Sequence, residues 1–302
     1  MKLIISIVVI FIFFLTFLTE LYLKKIGLGD PVRYDSSKLY GYSPKPNQKK
    51  SRLEGSLVTI NNAGLRSKSS WDIKKKKIVF LGDSVTYGGS YIDDEKIFTH
   101  RVCDYLRDFI CGNAGVNAHG VINIILRSKF DTRIQDSNVF VYLFPPGDFY
   151  REYANSQTAH FYLNNKRFFL PAITEAISYI FTKYDLNNFI SKFNDTETKI
   201  QNDYKLIDYS IKILKEEIQS KIVDRKKVYV FITNEKSDKD YNNRINKYIK
   251  DNLSKKIENI IFLNDTLNHD KFFYDKSVHL NETGHERVAN RIYNTIKKEI
   301  DN

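Results

Sequence analysis

The chain has 302 residues, of which 42% are hydrophobic, 14% aromatic and 27% charged, with only 6 prolines. This length and apolar content allow one large folded domain with an appendage, and they exclude a disordered or low-complexity chain. The formal charge of +11 comes mainly from lysines spread along the chain. No zinc-finger, helix-turn-helix or RNP-like pattern accompanies them, so they read as solvated surface and nucleic acid is not an expected partner.

The first predicted element is a membrane anchor. Leu3 to Thr19 carries no charge and is rich in Ile, Val, Phe and Leu, and Lys24-Lys25 follow shortly after. Such a run approaches the ~17–25 residues that cross a bilayer core as a helix. A cleaved signal peptide would end in a small-residue site, and the exit Thr16-Phe17-Leu18-Thr19-Glu20 has none,. A single uncleaved anchor is therefore expected. Lys24, Lys25 and Arg33 after the span, against Lys2 before it, mildly favour a cytoplasmic body by the positive-inside rule,.

Residues 26–70 read as a polar, turn-rich juxtamembrane segment,. Beyond it, apolar runs alternate with helical stretches. Strands are expected at 77–82, 109–111, 138–144, 228–232 and 260–263,. Helices are expected at 98–109, 122–130, 200–221, 240–253 and 282–300, the last with Val288, Ile292 and Ile296 as an apolar stripe,. Strands apolar on both faces and alternating with helices imply a parallel sheet covered on each side, an α/β three-layer sandwich with five parallel strands. Residues 149–200 form an aromatic-rich insertion, in which Asn164-Asn165 suggests a hairpin turn,. Its rings suit either a lid or the packing of a small subdomain. The two cysteines, Cys103 and Cys111, lack zinc or redox spacing and read as small apolar residues, a disulfide being the alternative in an oxidising compartment,.

Reactive groups in such sheets gather beyond the carboxyl ends of the strands. Gly82-Asp83-Ser84 leaves the first core strand there. Gly82 permits a sharp turn, and Ser84 can present both its hydroxyl and its backbone N–H to a substrate carbonyl. The plainer reading is that Asp83 and Ser84 cap the next helix. Near the other end, Asp275-Lys276-Ser277-Val278-His279 precedes the final helix. A histidine there can take the serine proton while a carboxylate orients its ring.

These residues resemble the SGNH/GDSL hydrolases. Gly82-Asp83-Ser84 is similar to that family's first block, Asn113-Ala114-Gly115-Val116 to the second, and Phe144-Pro145-Pro146-Gly147-Asp148 stands where the third falls. Asp275 and His279 lie in the stretch similar to the last block, and Asn61-Asn62-Ala63-Gly64-Leu65-Arg66 is similar to an element preceding the first block in membrane-anchored members. The resemblance spans about residues 40–300. It implies a flavodoxin-like fold and ester chemistry without metal or cofactor. Ser84 would be the nucleophile, His279 its base and Asp275 the orienting acid, with Asp83 in the first block.

The chain departs from the family pattern at three places. Ala118 stands where the oxyanion glycine falls, Gly147 where an asparagine is expected, and Asp275 one position farther from His279 than usual, with Lys276 in its place. His119 either projects to the same edge and supplies a missing donor or is a surface histidine at a helix start. Arg66 is expected to tie the juxtamembrane arm to the domain, Asp148 to anchor the third-block loop, and His285 to belong to the last helix. The organisation expected is an anchor at 1–25, a juxtamembrane segment at 26–70 and a catalytic domain at 71–302. The resemblance implies an esterase or O-acyltransferase acting on an acylated cell-surface polysaccharide or glycolipid, with the body extracytoplasmic. A lipid esterase is one alternative. A glycan-binding or assembly protein that kept the fold without catalysis is another.

Overall fold

The computed structural model describes residues 2–155, 170–184, 196–233, 240–258, 260–263, 265–267, 270–274 and 278–300. Its first element, α1 (Lys2–Lys25), is one 24-residue helix, long and apolar enough to cross a membrane. At 1.5 Å per residue it extends about 36 Å, against a hydrocarbon core of about 30 Å. Its far end is tied to the body through Glu20, which is buried. The Glu20 carboxylate accepts the backbone N–H groups of Ala172 and Ile173 at 3.1 and 3.0 Å, at the start of the helix Pro171–Tyr184. A helix N-terminus has unsatisfied N–H groups and positive potential, so a carboxylate suits it. Glu175, one turn on, pairs with Arg52 and accepts the Gly29 N–H at 2.6 Å.

Residues 26–70 are more ordered than their turn-rich sequence suggests. β1 (Tyr34–Ser37) pairs antiparallel with β2 (Gly41–Pro44), and β3 (Gln48–Ser51) with β4 (Leu57–Ile60). These strands are four residues long, and β3 is Gln-Lys-Lys-Ser, so no hydrophobic alternation announces it,. Bridges Ile60↔Arg66 and Arg66↔Asn113 then join the second hairpin to the edge of the main sheet.

That sheet comprises β5 (Lys76–Gly82), β6 (Phe109–Asn113), β7 (Val139–Phe144), β8 (Lys227–Ile232) and β9 (Ile260–Phe262). All neighbours are parallel, in the spatial order β6-β5-β7-β8-β9. This is the 2-1-3-4-5 order of a doubly wound, flavodoxin-like sheet, with its switch point between β5 and β7. Between strands run α2 (Ser84–Tyr87), α3 (Phe98–Tyr105), α4 (Val121–Phe130), α5 (Pro171–Tyr184), α6 (Thr196–Val223), α7 (Asp240–Lys256) and, last, α8 (Glu282–Ile300).

Successive strand residues point to opposite faces, which divides the core in two. Val79, Leu81, Phe140, Tyr142 and Val230 pack with Ile124 of α4, Ile211 of α6 and Ile249 of α7. Ile78, Phe80, Val141, Leu143 and Phe231 pack instead with Phe98 of α3 and with Val288, Ile292 and Ile296 of α8. The expected three-layer sandwich is thus present. α3 stops at Tyr105 rather than running to 109, because Phe109 already pairs in β6. α6 begins at Thr196, inside the expected insertion. Phe149 of that insertion is fully buried in the core against Phe144, whereas the Asn164-Asn165 hairpin lies outside the described residues. Both cysteines are free thiols, Cys111 buried in β6 and Cys103 half-buried on α3.

Candidate active site

Ser84 begins α2 directly beyond the carboxyl end of β5. Gly82 makes the turn possible: a Cβ there would lie 2.0 Å from Thr86 Oγ1 and 2.5 Å from the carbonyl of Leu143. Asp83 caps α2, its Oδ1 accepting the Val85 N–H at 2.8 Å, so the helix-capping reading of this pair holds for the aspartate,. Ser84 goes further. Its Oγ is 3.0 Å from Nε2 of His279, a residue 195 positions away in sequence, and 3.3 Å from Asp83 Oδ2. With the imidazole proton on Nδ1, the serine hydroxyl donates to Nε2. Both side chains are half-buried, so the pair is reachable. Asp275 lies outside the described residues.

The second block supports the turn after Ser84. Asn113 Nδ2 donates to the Thr86 carbonyl at 2.6 Å, and its Oδ1 accepts the Gly115 N–H at 2.8 Å. Ala118 adopts the left-handed conformation, φ 65°, and is exposed. The glycine-like backbone is therefore kept without a glycine, at a conformational cost of about 1–2 kcal/mol. Tyr42 on β2 braces this loop by donating to the Asn117 carbonyl at 2.8 Å.

His119 is not a surface histidine. It is fully buried, its ring edge-on to Tyr42 at 4.7 Å, and neither ring nitrogen has a hydrogen-bond partner. Burial, then Arg127 and Arg151, push its pKa well below the usual range, so the ring is neutral,. What His119 presents to the third block is its carbonyl, which accepts from Arg151 Nη1 at 2.8 Å. Gly147 lies in the short helical turn 146–150 beyond β7. Asp148 in the same turn pairs with Arg151 Nη1 at 2.9 Å, which anchors the third-block loop as expected.

Two further residues hold this edge together. Arg66 is buried, donating from Nε to Asp94 at 2.8 Å and from its guanidinium nitrogens to the carbonyls of Tyr87, Gly89 and Ile92 at 2.9, 2.6 and 2.6 Å. It is the expected tie, and it fixes the loop that follows Ser84. His285 sits in the first turn of α8, buried and stacked on Phe98 at 5.8 Å. Sequence reading missed Arg151 and Tyr91, whose roles come only from contacts across the fold.

The sheet order, with a serine at the switch point and its histidine before the last helix, settles the architecture. The fold is a doubly wound, flavodoxin-like α/β sandwich,. No family model and no curated protein matches the chain. Among solved structures, the α/β body is similar to a G-D-S-L family lipolytic protein from Desulfitobacterium hafniense, at 9% identity over 72% of this chain and 98% of that one, TM-score 0.44. It is also similar to a lipase/acylhydrolase from Enterococcus faecalis, at 16% identity over 74% and 96%, TM-score 0.44. An acetylxylan esterase from Geobacillus stearothermophilus gives 15% identity over 72% and 92%, TM-score 0.44.

Proposed function

We propose that this chain is a serine-dependent ester hydrolase or O-acyltransferase, held at a membrane by α1. The observation that carries the proposal is the 3.0 Å contact between Ser84 Oγ and His279 Nε2. That distance lies within the hydrogen-bond reach a nucleophile and its general base require. The alternative of a binding protein that lost catalysis is disfavoured by the same contact.

In the proposed reaction His279 Nε2 takes the Ser84 proton as Oγ bonds to the acyl carbonyl carbon. The carbonyl π pair moves onto oxygen, where the backbone N–H groups of Ser84 and Ala118 receive it. Collapse expels the alcohol oxygen, which takes the proton from His279, and leaves the acyl group on Ser84. Water then repeats the cycle in an esterase, and a sugar hydroxyl does so in an acyltransferase. Asp275 is assigned to orient the imidazole and stabilise its charged form.

The proposed substrate is an acyl ester of a cell-surface polysaccharide or glycolipid. The resemblance to membrane-anchored members supports it, as does a body tied closely to the end of α1 through Glu20 and Arg52.

The test is fluorophosphonate labelling of the full chain in detergent beside Ser84→Ala and His279→Ala. Labelling of the parent that both substitutions abolish is expected, with hydrolysis of an acetyl ester reduced by about 10⁴-fold or more. A folded, monodisperse parent that does not label would sink the enzyme reading and leave glycan binding. Turnover of long-chain lipid esters in preference to acetylated glycan would redirect the substrate to lipid.

A further inference from the structure

An acyl-transfer site needs donors for the negative charge that forms on the carbonyl oxygen, and removing one side-chain donor costs about 10²–10³ in turnover. Position 147 in the third block is glycine and has no side chain to offer. Arg151 stands where that loss can be made good. It follows the turn 146–150 and reaches back across the edge of the sheet.

Its Nη1 lies 2.8 Å from the His119 carbonyl, 2.9 Å from Asp148 Oδ1 and 3.5 Å from Asp83 Oδ2. Asp83 Oδ2 is in turn 3.3 Å from Ser84 Oγ. One guanidinium nitrogen therefore touches all three blocks, with a single carboxylate oxygen between it and the nucleophile. The approach is built into the backbone: a Cβ on Gly120 would lie 2.9 Å from Arg151 O and 3.0 Å from Arg151 Cβ.

Both carboxylates are buried, at 1% and 0% side-chain exposure, whereas the arginine side chain is 37% exposed. The guanidinium is thus held by two buried carboxylates on a side chain that is itself partly exposed. A guanidinium is planar and always charged, and it carries five N–H donors in a fixed fork. Nη1 serves the three blocks, and the fork extends beyond it in the same plane.

We infer that Arg151 is a catalytic residue that donates a charged hydrogen bond to the oxyanion formed when Ser84 attacks an acyl carbonyl, in place of a side-chain amide at position 147. The inference rests on the ester chemistry proposed above. Arg151 makes and breaks no covalent bond. It stabilises the oxygen while the carbonyl pair resides there, and the pair returns as the alcohol leaves.

The experiment measures the rate of fluorophosphonate attachment to Ser84, and kcat and KM for an acetyl ester, in the full chain in detergent. The variants are Arg151→Met, Arg151→Lys and Arg151→Met combined with Gly147→Asn, each with and without millimolar ethylguanidinium, and each with its melting temperature. Arg151→Met is expected to slow labelling and kcat by about 10²–10³-fold while KM changes little, because the donor acts in the transition state. Arg151→Lys should retain part of the rate. Ethylguanidinium, or the Gly147→Asn amide, should restore part of what Arg151→Met loses.

A parent that labels at Ser84 beside an Arg151→Met variant that labels equally fast would overturn this role and leave the serine chemistry standing. A slow Arg151→Met variant that neither ethylguanidinium nor Gly147→Asn improves would also overturn it, making Arg151 a brace for Asp83 and Asp148. A parent that does not label would fail at the earlier step, and that outcome is distinct from both.

Discussion

Tyr91 lies flat on Tyr274, with ring centroids 3.8 Å apart and planes 10° apart, and its hydroxyl donates to the Leu280 carbonyl at 2.9 Å. Tyr274 N–H in turn donates to the His279 carbonyl at 2.7 Å. The loop after Ser84 and the loop carrying His279 are thus clamped to each other by one tyrosine. Arg66 holds the same loop from the other side through the carbonyls of Gly89 and Ile92.

Loosening that clamp should act on turnover more than on stability. Misplacing a catalytic group by about 1 Å can cost about 10²-fold. Tyr91→Ala is expected to lower kcat/KM by about 10–10²-fold with a small change in melting temperature. Tyr91→Phe keeps the stacking and loses one hydrogen bond, worth about 1 kcal/mol, so its loss should be under about tenfold. Steady-state kinetics on the two variants check this, and an unchanged Tyr91→Ala would refute it.

The backbone at Ala118 gives a stability prediction. Left-handed φ costs a non-glycine residue about 1–2 kcal/mol, partly offset by the greater unfolded-state entropy of glycine. Ala118→Gly should therefore raise stability by up to about 1 kcal/mol, and Ala118→Val should lower it. Thermal or urea unfolding of both variants would show the opposite ranking if the positive φ were wrong.

Arg66 and Asp94 form an ion pair with both side chains at 1% exposure or less. Breaking a buried pair by removing one partner typically costs about 3–5 kcal/mol. Arg66→Met and Asp94→Asn are each expected to destabilise on that scale. The double variant should cost less than the two singles added together, because the second change removes the charge stranded by the first. A double-mutant cycle by denaturant unfolding measures the coupling, and strict additivity would contradict it.

Two buried histidines make the fold acid-sensitive. Burial, then Arg66 and Arg101, push the His285 pKa down to about 3, and burial also drives that of His119 well below the usual value. Each folded pKa lies below an unfolded value near ~6.5, so the unfolded chain binds the extra protons. Their contribution to stability is complete above about pH 6.5 and is lost as the pH falls towards the folded pKa. His285 should add a slope of about 1.4 kcal/mol per pH unit between about pH 6 and 4, and His119 acts in the same direction,. His285→Gln, whose oxygen can accept the Phe98 N–H that His285 Nδ1 now receives at 3.3 Å, should flatten the unfolding free energy against pH by about that amount. An unaltered slope would mean that His285 titrates normally.

Much of this architecture is written locally. Val79 to Leu81 and Val139 to Phe144 are apolar on both faces, so they read as central strands before any fold is known,. The stripe Val288, Ile292 and Ile296 has helical period, and Gly82-Asp83-Ser84 has the composition of a strand-to-helix turn. Each depends on neighbours within a few residues, which is why sequence alone determined the core strands, the last helix, the apolar N-terminal helix and the candidates Ser84 and His279. Contacts between distant segments have no such local signature. The 3.0 Å approach of Ser84 to His279, the Tyr91–Tyr274 clamp and the reach of Arg151 across three blocks exist only after the sheet is assembled. The polar strand β3 pairs with β4 because backbone N–H and C=O groups need partners, and it has no hydrophobic alternation to reveal it,. His119 illustrates the division most sharply: its sequence position follows the second block, but only the fold packs its buried ring against Tyr42, far upstream, and brings its carbonyl to Arg151.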